Sequence, residues 1–152
     1  MDDLLASRLC TALMRVGTRM ATGFDQHFGA VGLTQAQFRF LLAVWEEGGR
    51  QGVSPSVLAR HLLIERGTVS VLASVLVKTG LIERLPGENR RSHLLVLTRR
   101  GGELLQSAVP RAVTLADHTL ADLDPAQRLA LRAALDTIET TLRNWTPLEE
   151  PS

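Results

Sequence analysis

The amino-acid sequence predicts a mainly α-helical fold with one small β-hairpin, and three patterns predict it. Apolar residues recur at steps of three and four along both ends of the chain, the period of a helix that buries one face. Two short capped segments in the middle are separated only by Leu63-Ile64-Glu65. Directly after them, two β-prone runs flank Pro86-Gly87-Glu88-Asn89, a cluster suited to a turn.

The first thirty residues read as one long amphipathic helix, because Leu5, Leu9, Leu13, Val16, Met20, Phe24 and Phe28 share a face and Gly29 marks an end. Thr34 opens a second helix with Phe38, Leu41, Leu42 and Trp45, closed by Gly48-Gly49. Ser54-Pro55 starts a third, short one with Leu58, Ala59 and Leu62 inward. A fourth runs from about Arg66 to Lys78, burying Val69, Leu72 and Leu76, and stops at Gly80. Two short helices joined by so tight a bend form a helix-turn-helix. The strands of the hairpin are expected at 81–84 and 93–97. Thr98 then caps a helix carrying Leu104, Leu105, Ala108, Val109, Ala112, Leu115 and Leu120. Pro110 inside it predicts a kink, since proline lacks an N–H and crowds the carbonyl of Gln106. Asp124 and Pro125 begin the last helix, where Leu131, Leu135, Ile138, Leu142 and Trp145 form a coiled-coil-like seam. Residues 147–152 read as a loose tail.

The chain of 152 residues, 45% apolar, has the size of one domain with its own core. Its terminal helices, about 1–30 and 110–146, cannot bury their stripes alone, so a homodimer built on them is expected, with an intramolecular bundle as the alternative. About 34–100 then makes the central winged part. A single cysteine excludes an internal disulfide and a cysteine-cluster zinc site. The acidic start MDDLLASRLC and the lack of any long uncharged apolar run indicate neither export nor a membrane span, so the expected location is the cytoplasm. His27, His61, His93 and His118 have no close ligand spacing, and no serine, base and acid suggest a hydrolase; no metal, cofactor or enzymatic activity is expected.

The net charge of +1 hides an asymmetry. Between Arg60 and Arg100 eight Arg and Lys stand against three Glu, a net of +5, which leaves −4 on the remainder. A basic centre between acidic flanks points to a polyanionic partner for the centre, although a solvated basic face produces the same count.

A helix-turn-helix followed by a hairpin wing, between helices able to dimerise, resembles the MarR family of regulators. The matching stretches are Gly32-Leu33-Thr34-Gln35-Ala36-Gln37-Phe38, Leu58-Ala59, Gly67-Thr68-Val69-Ser70, Lys78-Thr79-Gly80-Leu81-Ile82-Glu83-Arg84 and Leu97-Thr98-Arg99-Arg100-Gly101, in the family's order and spacing. The resemblance implies a winged helix-turn-helix domain flanked by N- and C-terminal dimerisation helices. It also implies a sequence-specific repressor of double-stranded DNA, responsive to a small aromatic or phenolic effector.

Three positions depart from the family pattern. Asn89 stands where an Asp usually precedes the wing arginine, which predicts a neutral hydrogen bond in place of a charge pair. Val71 replaces a commonly basic residue, and Leu63 fills a turn position that is often Gly.

Candidate DNA contacts follow from these elements. Arg66, Gly67, Thr68, Ser70, Val71 and Ser74 lie on the recognition helix, with Arg66 the expected reader of guanine because its planar fork grips two acceptors. Val71 suits a thymine methyl, or is an ordinary partly buried helix residue. Ser54, Ser56 and Arg60 are candidates for phosphate, with helix capping as the simpler role of Ser54. Arg84, Asn89, Arg90 and Arg91 belong to the wing, whose tip resembles the family's minor-groove probe. A two-fold dimer implies a near-palindromic operator with half-sites ~10 bp apart.

Arg15, Arg19, His27, Arg39 and Trp45 are the candidates to line an effector cleft. Cys10 sits where one branch of the family oxidises a cysteine, but the chain has no Tyr to hold the thiol, and Leu9 and Leu13 beside it suggest a small core residue. A competing reading is a winged helix that binds protein and not DNA, encouraged by Val71, Val75 and Val77.

Overall fold

The computed structural model describes residues 3–144, and the chain divides into two compact units at a boundary after Leu115, inside the helix that follows the hairpin. Trp145 and the expected tail at 147–152 lie outside the described residues. In order, the elements are α1 (Asp3–Phe28), α2 (Gln35–Gly48), α3 (Pro55–Leu62), α4 (Arg66–Lys78), β1 (Ile82–Pro86), β2 (His93–Leu97), α5 (Arg99–Thr119) and α6 (Pro125–Arg143). Mainly α with a two-stranded antiparallel wing is the fold class the sequence predicts. Among the described residues no helix is long and apolar enough to cross a membrane.

The caps explain the boundaries. Thr34 Oγ1 accepts from Gln37 N at 3.1 Å while Gln37 Oε1 accepts from Thr34 N at 2.9 Å, a reciprocal box that satisfies two otherwise orphaned donors of α2. Asp124 and Gln127 repeat it at α6, and Ser54 Oγ caps α3 from the N-terminal side, with Pro55 in its first turn. Thr98 joins three segments: its hydroxyl donates to Gly80 O at 2.7 Å and accepts from Gly101 N at 3.0 Å. At Gly101 the first turn of α5 lies so close to the Leu81 carbonyl that a Cβ has no room. This contact fixes the wing against α5.

The core of the first unit is made by α2, α3, α4 and the hairpin closing over one another. Phe40, Leu41, Val44, Leu58, Val69, Leu76, Ile82 and Leu95 are its innermost side chains. Phe28 anchors the end of α1 in it, stacked on Phe38 with ring centres 4.6 Å apart. His61, in the last turn of α3, holds that helix to the end of α2, its Nδ1 lying 2.8 Å from Glu47 Oε1.

Several boundaries differ from the sequence reading. β1 continues to Pro86, paired with His93, because the strand is at the sheet edge and proline removes no ladder bond the fold requires. Val53 pairs with Leu95 on the other side of β2, through bonds of 2.8 and 2.9 Å. On α4 the inward set is Val69, Ala73 and Leu76, with Leu72 only half-buried. Helix α5 continues through Pro110 and ends before Leu120.

The long faces of α1 and α6 are open. Leu5, Leu9, Val16 and Met20 are exposed on α1, and every described residue of α6, including Leu131, Leu135, Ile138 and Leu142, is exposed.

Candidate nucleic-acid interface

The turn between α3 and α4 sets the geometry of the site. Leu63 adopts a left-handed conformation (φ 55°, ψ 45°), and among the described residues it is the one non-glycine residue with positive φ. Its amide closes α3 by donating to Ala59 O, as does that of Ile64, and the chain turns directly into α4. Ser56, Ala59, Arg60, Ile64 and Arg66 consequently surround one open hollow of about 480 Å³. Two guanidiniums from successive helices face one space there, and neither makes a hydrogen bond or ion pair within the described residues.

Along α4, Gly67, Val71, Ser74 and Lys78 recur at i, i+4, i+7 and i+11, all exposed, opposite buried Val69, Ala73 and Leu76. Thr68 and Ser70 are exposed on the flanks of this stripe. Val71 is 66% exposed, so the partly buried alternative for it does not hold. Lys78 belongs to this outward row, and its spacing from Val71 and Ser74 was the available signal in the sequence. Arg84 Nη2 donates to Ser74 Oγ at 3.4 Å, so these two candidates link the wing to α4. Ser54 is occupied as a cap, its simpler role.

The wing tip is organised around Asn89. Its Oδ1 accepts from the backbone N–H of Arg91 (3.0 Å) and of Ser92 (2.9 Å), while Ser92 Oγ accepts from Asn89 N at 3.0 Å. The neutral hydrogen bond expected of Asn89 is present, but its partner is backbone and not the Arg91 guanidinium. Arg90 and Arg91 therefore project with both side chains exposed and unpaired within the described residues.

The effector candidates are not brought together. Arg39 lines a hollow of about 360 Å³ with Gly17, Met20, Ala21, Phe24, Gln35 and Phe38. Trp45 borders a different one of about 530 Å³, between α2 and α5, whose charged lining residue is Glu46. Arg15 and Arg19 are exposed on α1 and line neither. His27 packs its ring edge-on to Phe28, with Nε2 buried and without a partner among the described residues. The sequence singled out Arg39 but not Phe24 and Phe38, which read there as core alone. Cys10 is exposed and lies outside the core of this single chain, and Leu9 and Leu13 beside it are exposed as well among the described residues.

The MarR family model matches residues 31–92, from the turn before α2 through the wing tip. An uncharacterised protein of Mycobacterium tuberculosis is 32% identical over 117 residues, covering 76% of this chain and 79% of that protein. The HTH-type transcriptional regulator PecS of Dickeya dadantii is 28% identical over 133 residues, covering 87% and 80%.

The chain belongs to the MarR family.

It is a MarR-family transcriptional regulator in both sequence and fold. Bordetella bronchiseptica BpsR, whose DNA binding is described as regulated by 6-hydroxynicotinic acid, superimposes with a TM-score of 0.76 at 28% identity, covering 86% of this chain and 92% of BpsR. A mutant MarR from E. coli complexed with operator DNA gives 0.80 at 20% identity, covering 86% and 93%, a likeness of fold.

Proposed function

We propose that the protein is a ligand-responsive repressor that binds a near-palindromic DNA operator as a homodimer. The observation that carries the reading is that exposed cations without partners among the described residues recur at the turn, on α4 and on the wing. Arg60 and Arg66 face a shared hollow, Lys78 lies on the outward row of α4, and Arg90 and Arg91 stand at the wing tip. Duplex DNA offers phosphates along its grooves, so α4 in the major groove and the wing in the minor groove is the arrangement this distribution favours. Arg66 reads guanine, Thr68 and Ser70 reach neighbouring base edges, Ser56 and Arg60 hold phosphate, and Arg91 enters the minor groove. The fold shared with an E. coli MarR solved with operator DNA supports DNA as the partner.

The uncovered apolar faces of α1 and α6 support dimerisation, since a soluble chain rarely leaves two such stripes in water. For the effector, the hollow lined by Phe24, Phe38 and Arg39 is favoured over the one at Trp45. It pairs aromatic walls with a guanidinium, which suits an aromatic carboxylate or phenolate, whereas Glu46 repels an anion at the other. Regulation of the 28% identical BpsR by 6-hydroxynicotinic acid is consistent with that class of ligand.

The test is selection of bound duplexes from a random pool, followed by titration in rising salt, with and without an aromatic carboxylate. The expected outcome is one preferred sequence, with affinity falling by ~10³ or more between ~50 and ~200 mM salt. The ligand should release wild-type protein and have little effect on Arg39→Ala. Salt-insensitive binding of a protein partner, with no preferred duplex, would instead establish the protein-docking winged helix.

A further inference from the structure

We propose that Val71 makes thymine the preferred base at one operator position, by reading its 5-methyl group in the major groove; this rests on the DNA-binding reading above. Val71 lies at the middle of the outward row of α4 and is 66% exposed, pointing directly away from buried Val69, Ala73 and Leu76. Its neighbours on the row leave it prominent. Gly67, one turn earlier, has no side chain and meets nothing within 4 Å of where a Cβ would stand, so the helix can approach a base edge closely there. Ser74, one turn later, is short and its hydroxyl is engaged by Arg84.

An isopropyl group carries no donor or acceptor. Of the features that base pairs display in the major groove, the thymine methyl is the one it recognises by contact, whereas the amino and carbonyl groups of the other edges lose water against it without compensation. The surroundings also argue for nucleic acid as the occupant of this apolar point. Arg66 and Lys78 flank it along the helix, and Arg84 lies across from Ser74, a cationic frame that complements a polyanion. Specificity would thus divide between two chemistries on one helix, a guanidinium at its start and a methyl contact one and a half turns later.

The experiment uses the selected operator, with each thymine of the half-sites replaced in turn by deoxyuridine, which removes only the methyl group. Wild-type protein should lose about fourfold per half-site, on the order of tenfold when both are changed, at one thymine position. Val71→Ala should show less than a twofold loss at that position while keeping its dimer and its helical spectrum. Placing 5-methylcytosine at the same position should bind wild type better than cytosine does. A flat response to deoxyuridine, or the same loss in Val71→Ala as in wild type, overturns the inference while leaving sequence-specific binding intact. If no duplex is preferred at all, the DNA-binding reading falls and this inference with it.

Discussion

Leu63 holds a conformation that L-residues avoid, because the left-handed region brings Cβ against the backbone at a cost of roughly 1–2 kcal/mol. It is 71% exposed, so its side chain returns little by burial. Leu63→Gly is therefore expected to stabilise the fold by ~0.5–1 kcal/mol after the greater freedom of glycine in the unfolded chain is subtracted. Thermal unfolding at fixed protein concentration measures this, and a lower midpoint would show that the leucine side chain supports the turn. The sequence marked this position through its departure from the family's glycine. The exposure of Cys10 was not legible for a physical reason: helical spacing places a residue on one side of a helix but does not say whether anything covers that side. Arg39 was legible as a candidate, yet its aromatic companions Phe24 and Phe38 come from two helices, and their convergence exists only after folding.

Elements were legible where a local signal sets them. Thr34 with Gln37, and Asp124 with Gln127, are contacts three residues apart, so α2 and α6 begin where the sequence places them. The pairing of Val53 with Leu95 depends on a partner distant in sequence, which no local pattern reveals, while the extension of β1 to Pro86 depends on the register of the ladder with β2. The wing has two separable parts, a charged probe and an amide brace. Arg91→Ala should weaken operator binding by about tenfold or more and reduce the salt slope by ~1, with the fold intact. Asn89→Ala removes backbone hydrogen bonds but no charge, so it should weaken binding less and leave the salt slope unchanged. Binding titrations at several salt concentrations separate the two, and equal behaviour of Arg91→Ala and wild type would remove the wing from the mechanism.

Each chain carries two open apolar faces, on α1 and on α6, and one basic reading head. The heptad-like spacing of α6 and the long stripe of α1 were readable from the sequence, and their exposure in one copy is what the proposed dimer would cover. In the proposed dimer, two copies related by a two-fold axis would present their α4 helices to successive major grooves, so that geometry and not affinity sets the half-site separation. The most direct measurement is footprinting on the selected operator, combined with the mass of the complex in solution. Two chains protecting inverted half-sites whose centres are ~10 bp apart is the predicted result. One chain on a single unpaired half-site, or two chains with no symmetry in the protected sequence, would contradict it.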